Sequence, residues 1–390
     1  MSGNGKQGHT CAKAEVSDAR ETVRRFLAHG QFIGRFESLS QESAFAAPSD
    51  DQVDLLAQQL NEAAHSDPLA YAILAGTPSE QHLRADIHAA FGEILSSPSD
   101  PKLSGAQRSA LEAISLLTGR PALLVKKDDF DLPNGIWEQL APFRPELQKM
   151  LQAVGRIELP PEYGSYAGTA FVVGHGLVMT NRHVLDHLYS TQVDASALPI
   201  AWDFIPDLHL TLDFKREAGS DERAEFRITG IAAIFPKRLP NTALPDLDLA
   251  LLRVATDNVA GRKWPGPVRI QNSMAQVRDQ RRVCVAGYPA ADPAHNDKDR
   301  MDAIYGSVYD VKRLSPGTIT GFDVDRASLR HDCTTLGGNS GSCVFDIDTN
   351  SVVGLHWGGN YLEPNHALLL PALFSDPVDP RLHGVNFQGD

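Results

Sequence analysis

The stretch that decides the fold is residues 334–359, which read TTLGGNSGSCVFDIDTNSVVGLHWGG. Glycines and other small residues surround Ser340, and a glycine lets the backbone approach a ligand because it has no Cβ. Two apolar runs of β type, CVFDI and SVVGLHW, follow the serine. We therefore predict a glycine-rich loop that presents a serine just ahead of two strands.

β-type runs of this kind recur along the chain from Pro121 onward. Their separators are Gly, Pro, Asn and Asp, a pattern that indicates an all-β barrel or sandwich. Examples are GTAFVV at 168–173, LVMT at 177–180, LALLRV at 249–254 and RVCVAGYP at 282–289. We place the β unit at residues 157–375, with a connecting segment at 120–156 and a C-terminal tail at 376–390.

The chain before this region has a helical pattern instead. Apolar residues recur at helical spacing, as in Val53, Leu56 and Leu60. Pairs with capping-box spacing occur at Asp18 and Glu21, Thr77 and Glu80, and Ser104 and Gln107. We predict a helical bundle over 17–119 after a flexible N-terminus at 1–16, so the fold class is α+β overall. No motif in the bundle carries chemistry.

Three stretches of the β unit bear the groups for acyl transfer: MTNRHV with His183, DLDLALLRV with Asp248, and the loop with Ser340. A serine hydroxyl needs an imidazole to take its proton as it attacks. The imidazole needs a carboxylate on its other nitrogen to hold the correct tautomer. We predict Ser340 as nucleophile, His183 as base and Asp248 as its orienting partner. Asp246 shares a strand face with Asp248 and is the rival for that role.

The tetrahedral oxyanion of such a reaction needs fixed hydrogen-bond donors. The glycines ahead of the serine leave room for a substrate carbonyl beside the backbone. The amides of Gly338 and Ser340 are therefore the predicted oxyanion hole.

A metal enzyme is a competing hypothesis, because His183 and His187 are four residues apart. A zinc-protease helix carries Glu directly after its first His, whereas Val184 stands here and no third ligand is evident. The cysteines are too scattered for a disulfide framework or a metal site; they are Cys11, Cys284, Cys333 and Cys343. We predict no metal and no cofactor.

Five blocks together resemble the chymotrypsin-like serine proteases. They are TNRHV at 180–184, DLALL at 248–252, GYP at 287–289, GNSGS at 338–342 and GLHWGG at 354–359. The similarity is greatest to the bacterial branch with the staphylococcal glutamyl endopeptidase and the HtrA-type proteases, and it covers roughly residues 157–375. It implies a serine endopeptidase built of two packed six-stranded β-barrels, with the His-Asp-Ser triad in the cleft between them.

The same resemblance implies that Thr335 and His356 line the primary substrate pocket. A hydroxyl and an imidazole there can bind a carboxylate, so cleavage after Glu is an expectation, and a purely structural strand histidine is the alternative for His356. Trypsin has Asp before its nucleophile to receive a new N-terminus, and Asn339 stands here instead. Activation by cleavage at Arg156-Ile157 is therefore the weaker reading, and a lead-in to the first strand is the stronger one.

Composition restricts the partners. The chain has 390 residues, 36 Lys plus Arg and 49 Asp plus Glu, for a formal net charge of -13. Nucleic-acid binding needs clustered cations, so nucleic acid is excluded as the main partner. No run approaches the ~18 apolar residues of a membrane span, and the N-terminus lacks a secretory pattern. We expect a cytoplasmic protein that acts on a protein or peptide substrate and has no membrane partner.

The helical region admits three roles: a docking module, an inhibitory pro-segment or a stabilising extension. A helical addition before a protease domain without a leader resembles the architecture of intracellular bacterial effector proteases. This resemblance implies a regulatory protein partner for the region. The alternative to a working enzyme is a catalytically silent protease-fold binding module or adaptor.

Overall fold

The computed structural model describes most of the β region and parts of the N-terminal region. The described residues are scattered positions between 50 and 110, among them 79–96, and then 121–132, 136–192, 201–235, 247–258, 260–291, 298–359, 364–374 and 382–387. The chain divides into two compact units, Met1–Gly119 and Arg120–Asp390.

In the first unit the clearest element is helix α1, Glu80–Ser96. It begins after Ser79, whose hydroxyl accepts a hydrogen bond from the backbone amide of His82 at 3.4 Å. Ser104 and Gln107 form the expected reciprocal pair, with bonds of 2.7 and 3.2 Å. Asp18, Glu21, Thr77 and most of the 17–119 bundle lie outside the described residues, so the bundle stays a prediction.

The second unit contains a first closed barrel of six antiparallel strands. Their order around the barrel is β10-β5-β4-β3-β8-β9. The strands are β3 Val154–Glu158, β4 Tyr166–Gly174, β5 Leu177–Thr180, β8 Thr211–Asp213, β9 Glu225–Ile234 and β10 Ala250–Val254. Long apolar strands such as β4 and β5 form here because their side chains are buried inside the closed sheet.

A second six-stranded barrel follows, in which β11 and β12 pair to close the ring β11-β14-β15-β16-β13-β12. The strands are β11 Arg282–Gly287, β12 Arg313–Asp323, β13 Ser328–His331, β14 Cys343–Asp346, β15 Ser351–Gly358 and β16 Asn365–Leu369. The loop with Ser340 leads into β14, and the HWG sequence ends β15. The predicted double barrel is thus confirmed.

Short elements complete the unit. A separate two-stranded sheet consists of β6 Tyr189–Gln192 and β7 Ala201–Phe204. The helices of the second unit are α2 Arg144–Gln152, α3 Lys298–Tyr305 and α4 Leu370–Leu373. Its 3-10 turns are Ile136–Phe143, Pro161–Tyr163, His183–Leu185 and Met274–Gln276. Across the described part of the chain, no helix is both long and apolar enough to cross a membrane.

The folded β unit extends beyond the expected span 157–375 at both ends. A hairpin of β1 Leu123–Lys126 and β2 Asp129–Phe130 adds to the second barrel, because β1 pairs with β12. At the other end, the amide of Asn386 donates to the carbonyl of Val173 at 2.7 Å. Both additions join through backbone pairing, which short apolar runs far apart in the sequence do not reveal.

Candidate active site

The site begins with the pairing of His183 and Asp248. His183 opens a 3-10 turn, His183–Leu185, just after β5. Its Nδ1 lies 2.5 Å from Oδ2 of Asp248, and its backbone amide donates to Oδ1 of the same carboxylate at 2.9 Å. One carboxylate therefore fixes both the backbone and the ring of the histidine, which leaves Nε2 as the ring nitrogen available to a reactant.

The residues before His183 hold the Asp248 segment in place. The side-chain amide of Asn181 donates to the carbonyl of Asp248 at 2.9 Å, and the guanidinium of Arg182 donates to the carbonyl of Leu247 at 3.2 Å. The rival Asp246 lies outside the described residues. The TNRH sequence thus anchors its own partner loop as well as supplying the imidazole.

The electrostatics of the pair favour an ionised carboxylate. The Asp248 side chain is 19% exposed and that of His183 is 38% exposed. Burial acts to raise the pKa of Asp248, but the hydrogen bond and charge of His183 outweigh it and leave the pKa below its usual value. Asp248 is therefore ionised near neutral pH, as a group that stabilises an imidazolium must be.

The loop with Ser340 lies on β4 of the first barrel. The carbonyl of Ser340 accepts a hydrogen bond from the amide of Thr169 at 2.9 Å. A Cβ placed on Gly168 would lie 3.0 Å from that carbonyl and 3.0 Å from the side chain of Val184. The serine backbone and the residue next to His183 therefore meet at the same point of β4, and Ser340 itself is partly exposed.

The Ser340 loop contains a glycine in the left-handed region and backbone amides that can act as donors. Gly338 has a φ of +86°, a conformation that favours glycine. The amides of residues 339, 341 and 342 donate within the protein, to the carbonyls of Leu336, His356 and Asn339. The amides of Gly338 and Ser340 have no acceptor among the residues that the structure describes. Two unused donors on one loop are what an oxyanion hole requires.

Gly287, in the GYP block, is required by the same loop. A Cβ at this position would lie 2.1 Å from Oγ of Ser342 and 2.4 Å from Oδ1 of Asn339. Asn339 is buried at 3% exposure, and its side-chain amide donates to the carbonyl of Leu336 at 3.3 Å. The residue before Ser340 is thus satisfied within its own loop.

Arg156 and Ile157 belong to β3, where backbone pairing with β4 and β8 encloses them. The Arg156 side chain is 7% exposed and makes an ion pair of 2.6 Å with Glu158. A protease cleaves an extended and accessible segment, whereas the Arg156–Ile157 peptide bond is held in a paired strand and is not exposed. The segment is the lead-in to the first barrel, as the stronger of the two sequence readings has it.

The two predicted pocket residues, Thr335 and His356, have different surroundings in the structure. The hydroxyl of Thr335 donates to the side-chain carbonyl of Asn365 at 2.9 Å. His356 is 2% exposed, and its Nδ1 lies 3.1 Å from Nε2 of His331, which is fully buried. Its backbone bonds Gly341 and Ser342, so this histidine also supports the Ser340 loop.

The two buried histidines predict a loss of stability in acid. Burial, followed by the neighbouring His183 and His366, lowers the pKa of His356 to about 3. Burial also lowers the pKa of His331 well below its ordinary value. Between about pH 6.5 and pH 3 the unfolded chain binds protons that the folded chain refuses, so stability falls as the pH falls.

We expect the urea midpoint of the wild-type protein to drop between pH 7 and pH 4. The variant His331→Gln should show a smaller drop, since one of the two refused protons is removed. Unfolding is monitored by tryptophan fluorescence. Equal drops of the urea midpoint in the two proteins would contradict this account.

Two residues of the site carried no signal in the sequence. Thr169 appeared only as part of a β-type run, and His331 lies in no motif. A threonine or a histidine acquires a role here from contacts with residues far away in the chain. Among the described residues, no group of three or more His, Cys, Asp or Glu side chains could hold a metal ion.

Comparison with known proteins agrees with this geometry. Residues 168–355 match the family model of the trypsin-like peptidase domain. A probable serine protease of Lysobacter enzymogenes is 29% identical over 312 residues, which cover 73% of this chain and 79% of that protein. The glutamyl endopeptidase of Staphylococcus aureus strain MW2 is 23% identical over 236 residues, which cover 60% of this chain and 59% of that enzyme.

Among solved structures, an inactive form of Rv3671c from M. tuberculosis H37Rv aligns with a TM-score of 0.35 and 18% identity. The alignment covers 62% of this chain and 93% of that one.

The double barrel and the His183–Asp248 pair define the class of serine proteases with a chymotrypsin-like fold. Residues 168–355 are the part of the chain that matches a trypsin-like peptidase domain, and the chain is similar to trypsin-like serine proteases. By class it is a serine endopeptidase, a hydrolase.

Proposed function

We propose that the chain hydrolyses peptide bonds through an acyl-enzyme formed on Ser340. The observation that carries the proposal is the double hydrogen bond of Asp248, to Nδ1 and to the backbone amide of His183. This bond fixes the tautomer in which Nε2 accepts a proton. No other group with that arrangement stands beside the Ser340 loop in the described part of the chain.

The reaction assigns one role to each group. The Ser340 hydroxyl attacks the substrate carbonyl carbon and gives its proton to Nε2 of His183, while the carbonyl electron pair moves onto oxygen. The amides of Gly338 and Ser340 stabilise that oxyanion. His183 then protonates the departing amine as the carbon–nitrogen bond breaks, and water releases the acyl group by the same steps.

A preference for Glu at the cleaved bond is the finer part of the proposal. The relatives named glutamyl endopeptidase motivate it, and Thr335 and His356 are the residues that we assign to the pocket. A substrate carboxylate favours the protonated imidazole, which offsets the cost of charging a buried ring. The Thr335 hydroxyl must then turn from Asn365 toward the substrate.

The helical region and the cellular location remain proposals from the sequence. We assign residues 17–119 a recruiting or inhibitory role toward a regulatory protein partner, in a cytoplasmic protein of the bacterial effector type. A truncation that tests this role has to begin before Leu123, because β1 pairs with β12 of the second barrel.

A peptide library tests turnover and preference together. We expect the purified chain to generate new termini after Glu, detected by mass spectrometry, and the variant Ser340→Ala to generate none. Cleavage after other residues only would overturn the Glu preference and leave the endopeptidase intact.

Active-site labelling separates the enzyme from a silent binding module. A fluorophosphonate should modify Ser340 in the wild type, and the label should fall sharply in His183→Ala because the hydroxyl loses its base. A chain that neither cleaves the library nor takes the label is the catalytically silent adaptor, and the proposed function fails.

A further inference from the structure

Thr169 connects the first barrel to the Ser340 loop of the second. It is fully buried on β4, and its amide donates to the carbonyl of Ser340 at 2.9 Å. Its hydroxyl donates to the carbonyl of Gly338 at 2.8 Å and accepts from the amide of Tyr288 at 3.3 Å. Its own carbonyl accepts from the hydroxyl of Thr180 at 2.7 Å. Every polar group of the residue is therefore engaged.

These bonds fix two carbonyls that bracket the nucleophile. Because a peptide unit is planar, holding the Gly338 carbonyl also sets the direction of the Asn339 amide. Holding the Ser340 carbonyl in the same way sets the direction of the Gly341 amide, which belongs to the same peptide unit. The Ser340 amide belongs to the peptide unit between the two held carbonyls, and the carbonyl of that unit, that of Asn339, accepts from the amide of Ser342 at 2.9 Å.

The Gly338 carbonyl needs such a restraint more than most. Glycine has no Cβ, so no side chain resists a change of backbone conformation. Gly338, with a φ of +86°, is such a position. A Cβ there would lie 2.4 Å from the carbonyl of Tyr288 and 2.6 Å from the hydroxyl of Tyr166, so no bulkier residue can supply the stiffness. Within the loop, the Asn339 amide of the same peptide unit donates to the carbonyl of Leu336 at 3.2 Å. The Thr169 hydroxyl adds a restraint on the carbonyl side of that unit from outside the loop.

We propose that Thr169 is a positioning residue for the oxyanion hole, which rests on the proposed function of the Ser340 site. Its hydroxyl holds the Gly338 carbonyl against β4, away from the substrate. The Ser340 amide then stays aimed at the oxyanion position before any substrate arrives. The Gly338 amide belongs to the preceding peptide unit, whose Gly337 carbonyl accepts from the amide of Ala290 at 2.7 Å. The first barrel, which supplies His183 and Asp248, thereby also sets the geometry of one donor in the second.

The test compares Thr169→Val, which keeps the shape and removes the hydroxyl, with Thr169→Ser, which restores it. We expect kcat to fall about 10²-fold in the valine variant with KM nearly unchanged, since a displaced catalytic group costs about that factor. The serine variant should recover most of the loss. Inhibition by a peptide aldehyde, whose adduct places an oxyanion in the hole, should weaken in parallel with kcat.

Thr229→Val is the matched control, because the Thr229 hydroxyl also donates to a backbone carbonyl, that of Arg253 at 3.2 Å, on an exposed strand position. It should behave as wild type. A purely structural Thr169 would lower the melting temperature and leave the kcat of the folded protein unchanged, which would overturn the proposal.

A crystal structure of the valine variant decides the point without turnover. The proposal requires the peptide unit after Gly338 to change direction or to become mobile, and an unchanged unit overturns it. Failure of the wild type to cleave or to be labelled would instead refute the proposed function, and the crystal structure would still decide the role of Thr169.

Discussion

Replacing Asp248 by asparagine is expected to lower kcat about 10⁴-fold with little loss of folding stability. The carboxylate accepts from Nδ1 and from the backbone amide of His183. An asparagine amide can present its NH₂ to Nδ1, which moves the ring proton to Nε2. The imidazole then has no lone pair for the serine proton, and the oxyanion hole alone sustains a residual rate.

The measurement is steady-state turnover of the best library peptide, with urea unfolding to verify the fold. Asp246→Asn is the control, because Asp246 shares the sequence context of Asp248. It should leave kcat within a few-fold of wild type. A large loss in Asp246→Asn together with a normal rate in Asp248→Asn would transfer the orienting role and refute our assignment.

Gly341→Ala is expected to have the second-largest effect, a loss of about 10²- to 10³-fold in kcat, because it displaces the whole donor loop. A Cβ at this position would lie 1.9 Å from the carbonyl of Thr169 and 2.4 Å from the hydroxyl of Thr180. Neither neighbour can retreat, since the first is backbone of β4 and the second is buried at the end of β5. The loop itself has to move away from the first barrel.

The substitution also has a conformational cost. Gly341 has a φ of +89°, and a left-handed conformation costs a residue with a side chain roughly 1–2 kcal/mol. Gly261→Ala separates this cost from the steric one, because Gly261 has a φ of +65° and open space around its Cβ direction. We expect Gly261→Ala to lose stability only, and Gly341→Ala to lose both stability and turnover. Equal kcat values in the two variants would contradict the steric explanation.

The contact behind the first prediction lies within one barrel, and the contact behind the second crosses between the barrels. Asp248 and His183 come from the first barrel, whereas Gly341 belongs to the second and touches Thr169 of the first. The site is therefore sensitive to the way the barrels close on each other.

Short sequence motifs predicted much of the site. Each candidate residue lies in a motif whose neighbours indicate the local structure; the motifs are TNRH, DLALL and GNSGS. The small residues of GNSGS indicate a tight loop. The order of β-type runs and their separators predicted an all-β barrel or sandwich, because a strand's alternating or continuous burial is a local property. The family resemblance implied the two barrels. The helical bundle remains a prediction from periodicity, and the Glu preference remains an expectation from the family resemblance.

The sequence by itself determined the chemistry of the groups, the β class of residues 157–375 and the need for glycine at the serine loop, because these depend on residue type and on near neighbours. Only the tertiary structure decided that the 123–130 hairpin joins the second barrel, that His331 lies behind His356, and that Thr169 holds the Gly338 carbonyl. Such contacts join distant residues, as in the bond from Arg313 to the carbonyl of Ala122, which lies 191 positions away. No local pattern encodes them, since they arise when closed sheets pack and each buried polar group takes the partner that the packing brings to it.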